Sequence, residues 1–475
     1  MKFDTMIAAF DSIGSSFQLG PFGTILQPLL LEALAEHGFQ NVRKGTILTP
    51  LLVMWLVLTL TIRRDLNYHK ALNWMVSGFR WMQRLLPPSS TIIKDGAVSH
   101  ARVKLGVEVF RTLFAKVVGL FTVLNADFYG LVTVAFDGTT GTTPDTPSNT
   151  GKWSKPSSRK GAAAFPQVRI MTLMAVSVRG ILDVAYAAYR GKKTGERALM
   201  RTILKRQSRA SLLFLLDAGL YAFDILCLIM HGGHDVIVKA PGTLTLRPLR
   251  RLPDGSFLTY VTGKLEDLTR PPTPTGRKHW REEQLLVRAI RVQIPGYRPF
   301  FLVTSVLNPT IPAREIALHD HQRWDSEIAY DDIKTHQCAT LRGQSPTTFR
   351  SKRADLVEQE LYAMLIMYTL IRLLIAQAAE PHGKDPRFIS FLDALQHIID
   401  ATPIMAADSN ERREQTFAYL LTVIADAEID RPRRHRINPR VVKVKMSKFD
   451  RKNSSHTSTE RHLEKDLIIL EIQQE

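Results

Sequence analysis

Arg323, Glu327 and Lys334 stand at intervals of four and seven, so a helix over 320–335 would project all three from one face. A carboxylate flanked on one helical stripe by two cations suits a group that holds a metal while its neighbours hold phosphate. Two further acids sharpen this: Asp137 follows the apolar run Leu131–Phe136 and Asp217 follows Leu212–Leu216, each where a buried strand is expected to end. Two strand-end aspartates and one helix-borne glutamate are the minimum needed to hold two divalent ions about 3.5–4 Å apart across a scissile phosphodiester. One ion would lower the pKa of a nucleophilic water or 3′-hydroxyl, and the other would steady the leaving oxygen. Oxygen-only ligands imply Mg2+ or Mn2+, because the neighbourhood lacks the His and Cys that zinc prefers. Each acid alone has a plainer reading, a turn residue for Asp137 and Asp217 and a solvated helix position for Glu327. Their joint occurrence in this order carries the metal reading.

The elements that must position these residues change character along the chain. Apolar residues recur at three and four positions in Ile47–Ile62, Tyr68–Val76 and Val103–Val123, which predicts a helical module over 1–125. Pro87-Pro88-Ser89-Ser90 separates two of its helices, with either serine available as an N-cap. Arg43, Lys44, Arg63, Arg64, Arg80 and Arg84 fall between those helices, an arrangement compatible with docking on DNA or with an ordinary solvated surface. From Tyr129 the pattern turns to strands: Leu131–Phe136, then Gln167–Val178 and Ile181–Tyr189 joined by Arg179-Gly180 as a tight hairpin. A helix over 195–206, the strand Leu212–Leu216, a helix to Met230 and the strand His234–Lys239 follow. Three antiparallel strands, helix, strand, helix, strand is the order of a ribonuclease-H-like α/β domain. The polar stretch between Asp137 and Gln167 is too long for a simple turn. Residues 241–310 read as an inserted β-rich segment, with strands at Leu244–Arg247, Ser256–Val261, Gln284–Ile294 and Phe300–Leu307 and a basic, proline-rich loop at Arg270–Arg281.

With 475 residues and 45% hydrophobic content the chain has room for several buried cores. Its formal charge of +18 favours a polyanionic partner, nucleic acid before an anionic membrane surface. Ten Lys or Arg against one acid between Arg431 and Lys452 hold half of that charge, in a stretch too poor in core-formers to fold by itself. Two cysteines, Cys227 and Cys338, exclude a disulfide framework and point to a reducing compartment. No signal peptide is evident at the first residues. The apolar stretches Ile47–Ile62 and Tyr362–Ala379 are expected as buried helices: the first is short for a bilayer span and the second carries Arg372.

These motifs together resemble a DDE transposase of the bacterial "insertion sequence four" family. The run from Asp320 to Lys334 matches the family signature Y-(2)-R-(3)-E-(6)-K at Arg323, Glu327 and Lys334. Phe136-Asp137-Gly138-Thr139, Pro144–Pro147, Asn149 and Phe165–Arg169 resemble the first-aspartate region; Gly195-Glu196 and Leu216–Gly219 with Tyr221 resemble the second. The likeness covers about 136–379, and Arg43–Val76 resembles the helical N-terminal module more loosely.

The resemblance implies a ribonuclease-H-like α/β core with an inserted β-rich subdomain, a helical N-terminal domain and a helical, basic C-terminal region. Its bounds would be a helical DNA-binding domain over 1–125, catalytic parts over 126–240 and 311–380, the insertion over 241–310 and the C-terminal region over 381–475. Asp137, Asp217 and Glu327 would be the catalytic, metal-binding triad with two Mg2+ or Mn2+ ions. Arg323 and Lys334 would grip DNA phosphates, and Trp280 in the insertion would hold a flipped base by stacking. The implied activity is cut-and-paste transposition by a cytoplasmic, nucleoid-associated homodimer on double-stranded DNA, transposon-end inverted repeats and target alike, with no membrane role. A nuclease that cuts without joining and an inactive DNA-binding relic are the competing readings. One position departs from the signature, Asp320 standing where the family has Tyr.

Overall fold

The computed structural model describes residues 20–43, 46, 48–75, 95–121, 124–158, 161–267, 269–270, 278–294, 298–337, 339–340, 343–344, 347–407, 410–429, 441–442, 450–451 and 463–471. The Pro87–Ser90 separator, Lys44, Arg80, Arg84, Cys338, most of the Arg270–Arg281 loop and nearly all of the basic stretch after Asp430 lie outside these residues.

Helices α1 (Gly23–Glu36), α2 (Pro50–Ile62), α3 (Tyr68–Met75), α4 (Asp95–Leu105) and α5 (Glu108–Gly119) come first. Thr49 starts α2 by accepting the Leu52 amide on its hydroxyl at 3.2 Å, with Pro50 at the first helical position. Apolar around its whole circumference, α2 is buried from Leu52 to Ile62, as such a helix must be. Then come β1 (Val132–Thr142), α6 (Pro147–Trp153), β2 (Gln167–Ala175), β3 (Gly180–Ala188), α7 (Glu196–Leu204), β4 (Leu212–Leu216), α8 (Phe223–His231) and β5 (Asp235–Lys239). The expected strands and helices occur in the expected sequence, with α6 added between the first and second strands. Two local expectations change. The stretch after Asp137 is structured, because β1 continues to Thr142 and Thr146 caps α6. The β2–β3 turn is made by Val176–Arg179, with Arg179 in the left-handed region at φ 54°, and Gly180 already belongs to the strand.

The next stretch gives β6 (Arg250–Arg251), β7 (Phe257–Glu266), β8 (Trp280–Gln293) and β9 (Phe300–Thr304). Leu244–Arg247, expected as a strand, is irregular. Helices α9 (Ala313–Asp320), α10 (Trp324–Asp331), α11 (Ala354–Ala379), α12 (Phe391–Ala407) and α13 (Asn410–Asp426) follow, and the short strand β10 (Ile468–Ile469) comes last. The protein is thus a mixed α/β structure with a large mixed sheet and many helices.

The chain forms two compact units, and β1 contributes Gly138–Thr142 to one and Val132–Asp137 to the other. The first unit comprises 1–124, 138–195 and 328–429. It holds the strand order β3-β2-β1 and is centred on α11, which packs against α2, α5, α12, α13 and β3. By length and composition α11 could cross a membrane, yet it is buried in the protein along most of its length. Buried polar side chains link the elements of this core. Arg102 donates to Gln359 Oε1 at 3.2 Å, Tyr68 Oη at 2.8 Å and the Leu356 carbonyl at 3.0 Å. The buried Glu360 carboxylate accepts the Arg350 and Ser351 amides and the Ser351 hydroxyl at 2.9–3.1 Å. Arg350 in turn donates to the carbonyls of Leu60, Arg64 and Leu66 at 2.9–3.1 Å, satisfying acceptors at the C-terminal end of α2 that no helical amide can reach.

The second unit comprises 125–137, 196–327 and 430–475. Its strand order is β1-β4-β5-β9-β8-β7-β6, with β10 added to β8. β1, β4 and β5 are parallel, whereas β9 joins β5 antiparallel and the later strands continue so. Gly263 on β7 has no room for a Cβ because the Phe223 ring of α8 covers it. Arg288 on β8 is wholly buried. It pairs with Asp254 and donates to Ser256 Oγ at 2.9 Å and to the Asn308 and Ile311 carbonyls at 3.0 and 2.9 Å. Asp254 also accepts the Ala313 amide at 2.7 Å, which fixes the start of α9 against the β-rich segment.

Glu360→Ala would leave the Ser351 and Arg350 amides and two guanidinium groups without their buried acceptor. The expected cost is about 3–5 kcal/mol, read as a lowered urea midpoint with an unchanged slope.

Candidate functional site

β1 and β4 run parallel in a register that pairs Val132 with Leu212 and Ala135 with Leu215. Continued two residues along both chains, the same offset sets Asp137 beside Asp217 on neighbouring strands about 4.8 Å apart. Asp217 keeps extended backbone angles, φ −71° and ψ 155°, past the last residue of β4. Beneath the two acids the Phe136 and Phe214 rings stack at 5.7 Å in the core. Side chains ahead of the aspartates are buried, Asp137 is half-buried and Asp217 is exposed. The sequence expectation that both acids end their strands holds for Asp217 alone. In β1 it is the burial that stops at Phe136, while the strand goes on.

Asp217 also does the work of a turn residue. It starts the 3-10 turn Ala218–Leu220, its carboxylate accepting the Gly219 amide at 3.4 Å and its carbonyl the Leu220 amide at 2.9 Å. Arg197 donates to the Gly219 carbonyl at 2.9 Å and steadies that turn.

The helix expected over 320–335 is interrupted. α9 ends at Asp320, a 3-10 turn spans His321–Arg323, α10 runs from Trp324 to Asp331, and a π-helical turn occupies Asp332–Gln337. The Arg323–Glu327 relation survives the break, with Nη1 3.6 Å from Glu327 Oε1. The same guanidinium lies 3.9 Å from Asp217 Oδ1 through Nη2 and stacks on the Trp324 ring at 5.3 Å. Arg323 therefore stands between the Asp217 and Glu327 carboxylates and balances both. Lys334 follows in the next segment. It lies on the π turn in the first unit, exposed, with its ammonium hydrogen-bonded to Thr139 Oγ1, two residues beyond Asp137 on β1.

Trp280, the stacking candidate, is 59% exposed at the start of β8. In the sheet order β5 and β9 separate its strand from β4. Its neighbours Lys278 and Arg281 are paired with Glu266 and Glu283.

Among the described residues, no three acid, His or Cys side chains stand close enough together to hold a metal ion as they are. The donor chemistry nonetheless fits a hard divalent cation: Asp137 and Asp217 offer adjacent carboxylates, and Glu327 is joined to Asp217 through a single guanidinium.

Two contributions were not visible in the sequence. His319 Nε2 and Thr133 Oγ1 are 2.6 Å apart, His319 stacks on Phe128 at 4.2 Å, and Gln322 reaches His319 Nδ1 at 3.3 Å. This buried contact ties the first half of β1 to α9. Thr133 is one polar residue inside an apolar run, so only tertiary placement exposes its role. The other is the setting of Asp320, whose departure from the signature the sequence shows but whose surroundings it does not. Its Oδ1 is shut off from solvent and has no hydrogen-bond partner. Burial pushes its carboxyl up to about 6, and nearby Asp217 adds to the rise while Arg323 and Lys239 oppose it.

Two family models match the chain. The model described as "Transposase DDE domain" matches residues 129–370, slightly more than half of the sequence, and "Insertion element 4 transposase N-terminal" matches 17–115. The chain therefore belongs to the insertion element 4 family of DDE transposases. The Escherichia coli (strain K12) protein "Transposase InsG for insertion sequence element IS4" is 27% identical over 455 residues, covering 94% of this chain and 96% of that protein. Among solved structures, a piggyBac transposase synaptic complex with hairpin DNA aligns over 88% of this chain and 85% of that one, with 7% identity and a TM-score of 0.42, too loose a likeness to define a fold.

Because the folded Asp320 carboxyl binds its proton more tightly than the ordinary 3.8, its contribution to stability is fully present below about pH 4 and is lost as pH rises through about 6. Asp320→Asn removes that titration. The variant should gain up to about 3 kcal/mol on the parent between about pH 4 and 7, measured by urea unfolding at stepped pH.

Proposed function

We propose that this transposase works by cut and paste: it binds terminal inverted repeats, cleaves the phosphodiester at each end and joins the freed 3′-hydroxyl to target DNA. The observation that carries this is the parallel β1–β4 register, which sets Asp137 beside Asp217, together with the Arg323 guanidinium between Asp217 and Glu327. Asp137, Asp217 and Glu327 would hold two Mg2+ or Mn2+ ions, which supply activation of the attacking oxygen and charge neutralisation at the leaving one. Glu327 joins the aspartates only by releasing Arg323. That frees a forked cation for a DNA phosphate at the moment the carboxylates close. Lys334 offers a second, point-charge contact from the π turn.

On this reading the catalytic domain is ribonuclease-H-like, formed by 126–240 and 311–380 around the 241–310 insertion. The N-terminal helices and the basic C-terminal region supply end recognition and salt-sensitive affinity. The insertion offers Trp280, whose exposed ring is available to stack on an unpaired base. Two copies bring two ends together, and the protein acts in the cytoplasm on the nucleoid.

Asp137→Asn, Asp217→Asn and Glu327→Gln should each lower strand cleavage by about three orders of magnitude, the rate equivalent of several kcal/mol, while binding to end duplexes persists. A variant that still cuts in Mg2+ would remove its residue from the triad. Cleaved ends that never enter target DNA would favour a nuclease that cuts without joining. Asp320, its Oδ1 shut off from solvent in the position where the family signature has Tyr, favours the second reading, a DNA-binding relic. A parent unable to nick cognate ends beside an active Asp320→Tyr variant would establish it.

A further inference from the structure

One residue after α10 is buried where a regular helix would turn it away from the core. In an unbroken α-helix Lys334 would stand about 40° around the axis from Tyr330, and Asp332 about 160° from it. Tyr330 is buried, its hydroxyl 2.8 Å from Thr172 Oγ1 on β2. Ser326, Ala329, Ile333 and Gln337 are buried on the Tyr330 side as well, so a regular helix would leave Lys334 at the margin of that face and turn Asp332 away from it. In the π-helical turn Asp332–Gln337, Asp332 is buried beside Ile333 and Gln337, while Lys334 and Thr335 are exposed. π turns inside α-helices recur at functional sites.

What holds the turn in this form comes from α11. Arg372, fully buried, forms an ion pair with Asp332. Its Nε donates to Tyr368 Oη at 3.3 Å, and its guanidinium lies over the Phe391 ring at 5.1 Å. One turn of chain later Gln337 donates to the Met364 carbonyl at 3.0 Å. The turn is thus gripped at both ends from inside, and its exposed middle carries Lys334 to Thr139 on β1. A buried ion pair is a weak contributor to net stability compared with apolar side chains of similar size, so its cost calls for another use.

We propose that the buried Asp332–Arg372 ion pair is a positioning device for Lys334, holding the widened turn that aims the ammonium outward at a DNA phosphate. The inference rests on the reading of Lys334 as a phosphate contact. Neither Asp332 nor Arg372 touches DNA in it.

The test compares the full-length parent with three variants: Asp332→Leu/Arg372→Met, which replaces the pair by apolar side chains that fill the same space, Lys334→Ala, and the triple. Two readouts are taken on a duplex of the element's own terminal sequence: strand cleavage in Mg2+, and the salt dependence of binding without divalent metal. The pair replacement and Lys334→Ala should each lower cleavage at least about 10-fold and reduce the magnitude of the log–log salt slope by about one, the share of one phosphate contact. In the triple neither quantity should change further. A lesion in packing alone would leave the slope unchanged, and its effect would multiply with that of Lys334→Ala; either result overturns the proposal. So does a pair replacement that binds and cuts like the parent. Should the pair replacement fail to fold, Arg372→Lys, which keeps the charge and loses the fork, is judged by the same non-additivity. Loss of cleavage in Asp217→Asn with none in Lys334→Ala would overturn the proposal and leave the functional reading standing. A parent that never cuts would sink that reading, while the salt slope would still decide the role of the pair.

Discussion

Parallel pairing of β1 with β4 is the constraint on which the site depends. Two acidic side chains 80 positions apart in the chain become neighbours because their strands start level and stay level, and the register offset from Val132 to Ala135 leaves no freedom in where they emerge. Parallel strands cannot be joined by a tight turn. The connection here runs through β2, β3 and α7 before the chain returns as β4. Placing two carboxylates together raises an electrostatic cost that must be met locally. Arg323 meets it for Asp217 and Glu327 from a single guanidinium packed against Trp324.

Around this arrangement the protein uses buried polar groups as fasteners between elements. Arg102 and Gln359 join α4 to α11, Glu360 and Arg350 join the 349–353 segment to the end of α2, and Arg288 with Asp254 joins the β-rich segment to the start of α9. Hydrophobic burial alone is non-directional. Forked donors matched to specific carbonyls fix which residue of one element faces which residue of another.

Much of the element order was legible in the sequence because it rests on local patterns: the apolar runs at Leu212–Leu216 and His234–Lys239, the continuous apolarity of α2, and the Thr49-Pro50 start. The acids could be picked out for the same reason, since each follows a buried run. What stayed hidden depends on partners distant in the chain. The π turn has no local signature in Asp332–Gln337, because Arg372 on another helix sustains it. Lys334 was placed on the Glu327 stripe by assuming 3.6 residues per turn throughout, whereas it stands on a turn with more residues than that. β1 runs past Asp137 into a polar stretch that, by composition, reads as a loop, and Phe349 packs against Gly141 there with no space for a side chain. Thr133 and His319 were invisible for the same reason: neither spacing nor type announces a contact between residues 186 apart.

One geometric property of α11 sets limits on how this chain can vary. Gln359 and Glu360 near its start receive the N-terminal helices, and Arg372 grips the π turn twelve residues later, about 18 Å along the axis and a little over three turns. Both attachments hang from one continuous rod. Losing or gaining a single residue between them would swing one attachment about 100° around the rod relative to the other, so length changes accumulated over evolution belong in the connections and not in this interval.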